Sequence, residues 1–167
     1  YGVTVDAPEV RFGQRTLALT DPHGLRVALI EDPAPRDFEA WNESPVPGER
    51  QVRGLHGARL WEQGAATTAS FLTDVMGLKA LATENGWTRY GFPDAAGSVD
   101  VIETPEPRRG MWGVGSVHHL AWRVPDDERQ EAMRRQVEEA GAQATPVIDR
   151  FWFRSVYFRE PGGVLFE

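Results

Sequence analysis

The sequence holds four histidines, His23, His56, His118 and His119, and no cysteine. Disulfides, zinc knuckles, iron–sulfur clusters and thiol nucleophiles are thereby excluded together, and any metal must be held by His, Asp, Glu or Tyr. Val117-His118-His119-Leu120-Ala121-Trp122-Arg123-Val124 alternates, and a strand sends successive side chains to opposite faces of its sheet. Leu120, Trp122 and Val124 share a face with His118, the face expected to pack on a helix, which leaves His119 and Ala121 on the other, concave side. In the closing stretch Val164 and Phe166 point to the helix side, and Leu165 and Glu167 point opposite. His119 and Glu167 are therefore expected to face one cavity. A neutral imidazole and a carboxylate from two strands suit a first-row metal, and two His plus one carboxylate on one face is the ferrous oxygenase arrangement. One imidazole is then still to be found. The same spacings also fit a half-buried structural His-His pair and a solvated Glu167.

The elements that must position these residues repeat. A strand at 54–61, a helix at 66–76 with Phe71, Leu72, Val75 and Met76 on one face, and strands at 78–83, 87–92 and 98–103 form one β-α-β-β-β unit, with Gly77 ending the helix. A strand at 116–124, Asp126 as N-cap, a helix at 127–140 with Met133, Val137 and Ala140 inward, Gly141 at its C′ position, and strands at 144–148, 154–159 and 164–167 form a second. Before them, runs at 15–19 and 25–30 bracket Asp21-Pro22-His23-Gly24 as a hairpin. That hairpin matches the end of such a unit, with Asp21-Pro22-His23-Gly24 in the place of Glu160-Pro161-Gly162-Gly163. The expected organisation is the end of an upstream unit at 1–31, a Pro-rich linker at 32–52, one unit at 53–110 and one at 111–167, in a chain lacking its N-terminal part. Aligning the two first strands puts His56 opposite His118, on the helix side, and Gly57 opposite His119, so the earlier unit lacks an imidazole at the key place. His23 is expected on the surface. The aromatic residues Phe151, Trp152, Phe153, Tyr157 and Phe158 fit either core or the wall of a pocket for a flat ring, with Phe158 assigned to the core.

Composition bounds the rest. Eighteen Lys and Arg against twenty-five Asp and Glu give a formal charge of −7, with 41% apolar and 26% charged residues in 167. A chain of this size has the means to bury a core, since a domain of roughly 150 residues hides about 68–70% of its unfolded surface. The acidic balance and scattered cations argue against a grip on nucleic acid, which needs a concentrated positive face. No apolar run approaches the ~20 residues that span a bilayer, and no signal peptide is evident. A cytoplasmic protein that touches neither nucleic acid nor membrane is expected.

The stretch Asp149-Arg150-Phe151-Trp152-Phe153-Arg154-Ser155-Val156-Tyr157-Phe158-Arg159-Glu160-Pro161-Gly162-Gly163-Val164-Leu165-Phe166-Glu167, within the block 145–167, resembles the C-terminal signature of hydroquinone-type ring-cleaving dioxygenases of the vicinal oxygen chelate superfamily, which also holds glyoxalases and bleomycin-resistance proteins. Arg53-Gly54-Leu55-His56-Gly57, Phe71-Leu72-Thr73-Asp74-Val75-Met76-Gly77 and Val117-His118-His119 resemble the same family, so the likeness runs along the whole chain. It implies an α+β fold of four β-α-β-β-β units in cupped mixed and antiparallel sheets, of which this chain holds the end of the second and the third and fourth. It implies ferrous iron, with manganese as a substitute, bound by a His of the first unit and by His119 and Glu167 of the fourth, His118 standing in for His119 if the register slips by one. It implies contacts of Arg150 and Tyr157 with substrate and oxygen-derived groups beside the iron. Tyr157 stands ten residues before Glu167, as the comparable tyrosine does in related catechol-cleaving enzymes, whose catalytic His this sequence lacks.

The partners implied are a small hydroquinone- or catechol-like aromatic and O2, and homo-oligomerisation through exposed strand edges is expected. With two protein ligands, the chain alone is expected to bind iron weakly and to be inactive. Two other functions fit the fold: a metal-dependent isomerase or lyase acting on thiol adducts, which needs a further carboxylate opposite Glu167, and a metal-free small-molecule-binding module.

Overall fold

A computed structural model of the chain describes residues 3–105 and 110–167. β3 (Gln14–Thr20) and β4 (Arg26–Ile30) pair antiparallel from Thr16↔Ile30 to Thr20↔Arg26. Asp21 closes their turn: its Oδ1 accepts from the amides of His23 and Leu25, both at 2.8 Å. The free edge of β3 carries two short strands not expected from the sequence, β1 (Thr4–Val5) and β2 (Glu9–Arg11), lying end to end along it. Phe12 and Gly13, at φ 48° and 76°, make the tight turn from β2 to β3, the left-handed pair that a two-residue hairpin loop requires. The opening segment is thus an antiparallel sheet three strands wide rather than a lone hairpin.

The linker makes no ladder, and side chains order it instead. Gln51 accepts from the amide of Trp41 at 2.9 Å and donates to the carbonyls of Trp41 and Val46 at 2.9 and 2.8 Å. Arg36 donates to the carbonyl of Leu55 at 2.9 Å and pairs with Asp32 at 3.4 Å.

In the first full unit β5 (Gly57–Glu62) runs parallel to β8 (Ser98–Glu103), and the sheet order is β5-β8-β7-β6, with β6 at Lys79–Glu84 and β7 at Trp87–Gly91. The expected helix divides into α1 (Ala65–Ser70) and a wider π turn at Phe71–Val75, in which the Met76 amide reaches back to the Phe71 carbonyl at 3.1 Å. The extra residue in that turn keeps Phe71, Leu72 and Met76 all against the core. No side chain of its own caps α1. Glu103 does so from β8, accepting from the amides of Gly64 and Ala65 at 2.9 and 2.6 Å, and those amides hold its carboxyl below the usual range.

The second unit repeats the order with shorter ladders. Leu120 bridges Phe166 in parallel, as β5 meets β8. The strand expected at 116–124 is reduced to this contact: Leu120 and Trp122 donate to the carbonyls of Leu165 and Glu167, both at 3.0 Å, and the Glu167 amide donates to Leu120 at 2.9 Å. Ser116 folds into a turn on Gly113, taking its amide at 3.0 Å and donating to its carbonyl at 2.7 Å, which removes the start of the expected strand. α2 (Asp127–Glu139) is capped as expected, with Asp126 Oδ1 accepting from the Arg129 amide at 2.7 Å. Of the strands expected at 144–148 and 154–159, regular pairing survives in β9 (Ile148–Asp149), β10 (Arg154–Ser155) and β11 (Phe158–Arg159), plus the bridge Ala144↔Phe158. Pro146 has no amide to donate, so the ladder breaks beside it. β12 (Leu165–Phe166) pairs with β11 across Glu160-Pro161-Gly162-Gly163.

One core serves both units. Leu60, Phe71, Leu72, Leu78, Val99, Val101, Val137, Phe158 and Phe166 form a continuous buried cluster, and Phe71 of the first unit meets Phe158 of the second at 5.9 Å between ring centroids. Among the described residues no helix is long and apolar enough to cross a membrane.

Candidate metal centre

The pairing of the second unit fixes which side chains converge. Leu120 and Phe166 are partners in parallel, and both point into the core. By alternation His119 stands beside Leu165, and Ala121 beside Glu167, on the opposite, concave face. The partnership Phe158↔Phe166 likewise sets Tyr157 opposite Glu167. Side-chain positions agree with the backbone: His119 Nε2 lies 2.6 Å from Glu167 Oε2, and the Tyr157 ring stands edge-on to His119 at 5.5 Å. The Arg150 guanidinium lies over the Tyr157 ring at 5.6 Å. Carboxylate, imidazole, phenol and guanidinium thus stand in one row. The Glu167 side chain is 12% exposed and that of His119 30%, so the carboxylate forms the floor and the imidazole is open to a ligand.

His118 differs from its expected place. Its Nδ1 lies 2.8 Å from His119 Nδ1 and its ring packs on Trp112 at 4.9 Å, so it buttresses His119 from the rim instead of pointing into the helix face. A positive φ of 71° at Phe151 turns the 150–153 loop, leaving Phe151 and Trp152 more than 80% exposed beside the row. Phe158 is core, as expected. A cavity of about 850 Å³ opens beside Glu167, walled by Trp122, Met133 and Phe158 from the helix side and by Trp152 and Phe153 from the loop, with neither Arg150 nor Tyr157 in its wall.

The remaining histidines stand elsewhere. His23 is on an exposed turn whose carbonyl lies so close to Gly115 that a Cβ there would collide with it. His56 lies 3.9 Å from Asp32 and anchors the linker, not the helix face. Burial, with the Arg89 charge next, pushes the His56 imidazole down.

The repeat exposes one residue that alignment of the first strands missed. In the first unit Arg59 is the register partner of Asp100, as Ala121 is beside Glu167. Asp100 is therefore the counterpart of Glu167, and it is 5% exposed. Its carboxylate is taken by Arg89, with Nε at 2.7 Å and Nη2 at 3.0 Å, and Arg59 stands at 3.6 Å. Arg89 also donates to Gln14 at 2.9 Å and lies over Phe12 at 4.2 Å, tying the opening sheet to this face. Extending the alignment to the last strands would have found Asp100. The guanidinium that fills its place has no signature in spacing.

Comparison with known proteins follows this geometry. Residues 54–167 match the family model of the glyoxalase/bleomycin resistance protein/dioxygenase superfamily. The chain belongs to that superfamily. It is 35% identical to chlorohydroquinone/hydroquinone 1,2-dioxygenase of Sphingobium indicum, over 99% of this chain and 53% of that protein, and 36% identical to MhqO of Bacillus subtilis (strain 168), assigned by name as a ring-cleaving dioxygenase, over 94% of this chain and 50% of that protein. A crystal structure of a protein assigned as a dioxygenase from Bacillus subtilis superposes with a TM-score of 0.89 at 35% identity, covering 98% of this chain and 52% of that one. The chain spans about half the length of the curated relatives it matches. Its fold is an α+β architecture of repeated β-α-β-β-β units, and the curated relatives given above are dioxygenases by name.

Proposed function

We propose that the chain carries the metal-holding unit of an Fe(II)-dependent ring-cleaving dioxygenase acting on hydroquinone- or catechol-like aromatics. The observation that carries this reading is the approach of His119 Nε2 to Glu167 Oε2 at 2.6 Å on the concave face. Two ligands at ~2.1 Å from one ion and at right angles stand roughly 3 Å apart, so a small side-chain rotation suits the pair to a metal. Among the described residues no group of three His, Asp or Glu side chains is arranged to hold a metal ion, so a third protein ligand, from an upstream unit of a longer protein, belongs to the proposal. Manganese suits the same donor set.

When bound, a ferrous ion supplies neighbouring open positions for an ionised ring hydroxyl and O2. The side chains around it do the rest. His118 orients His119 through the Nδ1 contact, leaving Nε2 to face the metal, the usual role of a partner on the far nitrogen of a ligating imidazole. Arg150, permanently charged, stabilises negative charge on a substrate oxygen. Tyr157 donates a hydrogen bond or proton to that oxygen. The ring seat is the side of the sheet bearing Tyr157, Arg150 and Trp112.

Oxygen uptake with hydroquinone after anaerobic Fe(II) loading tests this reading. Iron-dependent uptake by the longer protein that is lost in its Glu167→Gln variant supports it, whereas an iron-loaded longer protein that consumes no oxygen with any hydroquinone or catechol contradicts it.

A further inference from the structure

A second pair of carboxyls lies on the helix side of the sheets, where the metal reading makes no use of it. Glu62 ends β5 on the same face as Leu60 and is 4% exposed, and Glu160 opens the turn before β12 and is 2% exposed. Glu160 is fully served: Thr68 Oγ1 donates to it at 2.8 Å, and the amides of Gly162 and Val164 donate at 2.9 Å each. These donors suit an ionised carboxylate and tie the turn to α1. Glu62 has no such company. Among the described residues no hydrogen bond reaches its carboxyl, which lies against Gly162, where an added Cβ would collide with Glu62 Oε2 and stand 2.8 Å from Glu160 Oε1. The other charged group facing it is Glu103, its register partner on β8, already held by the amides that start α1. Among the described residues no Lys, Arg or His pairs with any of the three.

An anion buried beside another anion, with no cation and no donor, is the costly arrangement, and a carboxyl escapes it by keeping its proton. We propose that Glu62 is held as a neutral acid against Gly162 and Glu160, and that this buried proton latches the 160–163 turn of the second unit onto β5 and α1 of the first. Burial pushes the Glu62 carboxyl up to about 7, with the charges of Glu160 and then Glu103 adding to it. A carboxyl whose folded value lies above its free value of 4.5 contributes its stability fully below that pH and loses it as the pH rises through about 7. Losing the proton loosens the turn that launches Val164–Glu167, which makes the latch a pH-sensitive support for β12.

Carboxyl and amide NMR of the metal-free chain, labelled with carbon-13 glutamate and titrated from pH 4 to 9, tests the latch without reference to metal or oxygen chemistry. One glutamate should titrate near pH 7, vanish in Glu62→Gln, and move to lower pH in Glu160→Gln, and the amides of Gly162 and Val164 should shift with the same midpoint. A Glu62 titrating in the ordinary carboxylate range overturns the proposal, as do Gly162 and Val164 amides that ignore a Glu62 titration near 7. In thermal unfolding, wild type should lose stability relative to Glu62→Gln between pH 4.5 and about 7; a gap that stays constant with pH also overturns it.

Discussion

His119 and Glu167 come from segments far apart in the chain, yet one backbone pairing, Leu120 beside Phe166, suffices to set both on one face. This much was legible, because alternation in a strand needs only the knowledge of which side is apolar. The role of His118 was not: the turn at Gly113–Ser116 removes the start of the strand, and the His118 ring lies on Trp112, which no pattern of apolar residues encodes. In the longer protein, Tyr157→Phe should leave metal binding intact while lowering iron-dependent oxygen uptake by ~10²-fold, the scale of one positioned proton donor; an unchanged rate removes Tyr157 from the chemistry. Ser155 gives a prediction of the opposite sort. Its hydroxyl is buried at 1% exposure and meets no partner among the described residues, so Ser155→Ala should hold or raise stability by up to about 1 kcal/mol in urea unfolding, and a clear loss points to a partner for that hydroxyl.

Elements were legible in proportion to the local signals that mark their ends. α2 begins at Asp126 and ends before Gly141, at φ 88°, as the capping residues require. Asp126→Ala should cost about 1 kcal/mol of stability in denaturant unfolding, and no measurable change contradicts the cap. Strands were less legible. Pro146 interrupts the strand that alternation presents at 144–148, and the one at 154–159 divides into pieces two residues long because its ends pair with different partners, β9 and β12. β1 and β2 escaped notice because Thr4–Val5 and Glu9–Arg11 are too short to show a period, and the edge of β3, not their own sequence, holds them. Phe166 shows what these short strands depend on: it is fully buried against Phe158 and Trp122. Phe166→Ala should cost ~3–5 kcal/mol and, by loosening β12, weaken metal binding as well.

At the scale of the molecule, two units share a core while one face stays open. Met111, Trp112, Val114, Phe151 and Trp152 are each more than 60% exposed around the candidate site, a concentration of apolar surface that soluble chains usually cover. Concentration-dependent self-association by sedimentation is therefore expected, reduced in Trp152→Ser; a chain monomeric at all concentrations contradicts this. The alternating order of elements shows in the sequence, but the neutralisation of the first unit's buried carboxylate, Asp100, by Arg89 does not. The measurement that reaches furthest is an anaerobic Fe(II) titration of the chain by calorimetry, run on wild type, His119→Ala, Glu167→Gln and Asp100→Asn. Weak binding of one ion that disappears in the first two variants and persists in the third is the predicted result. Binding that survives loss of both His119 and Glu167 would place the metal elsewhere and contradict the account.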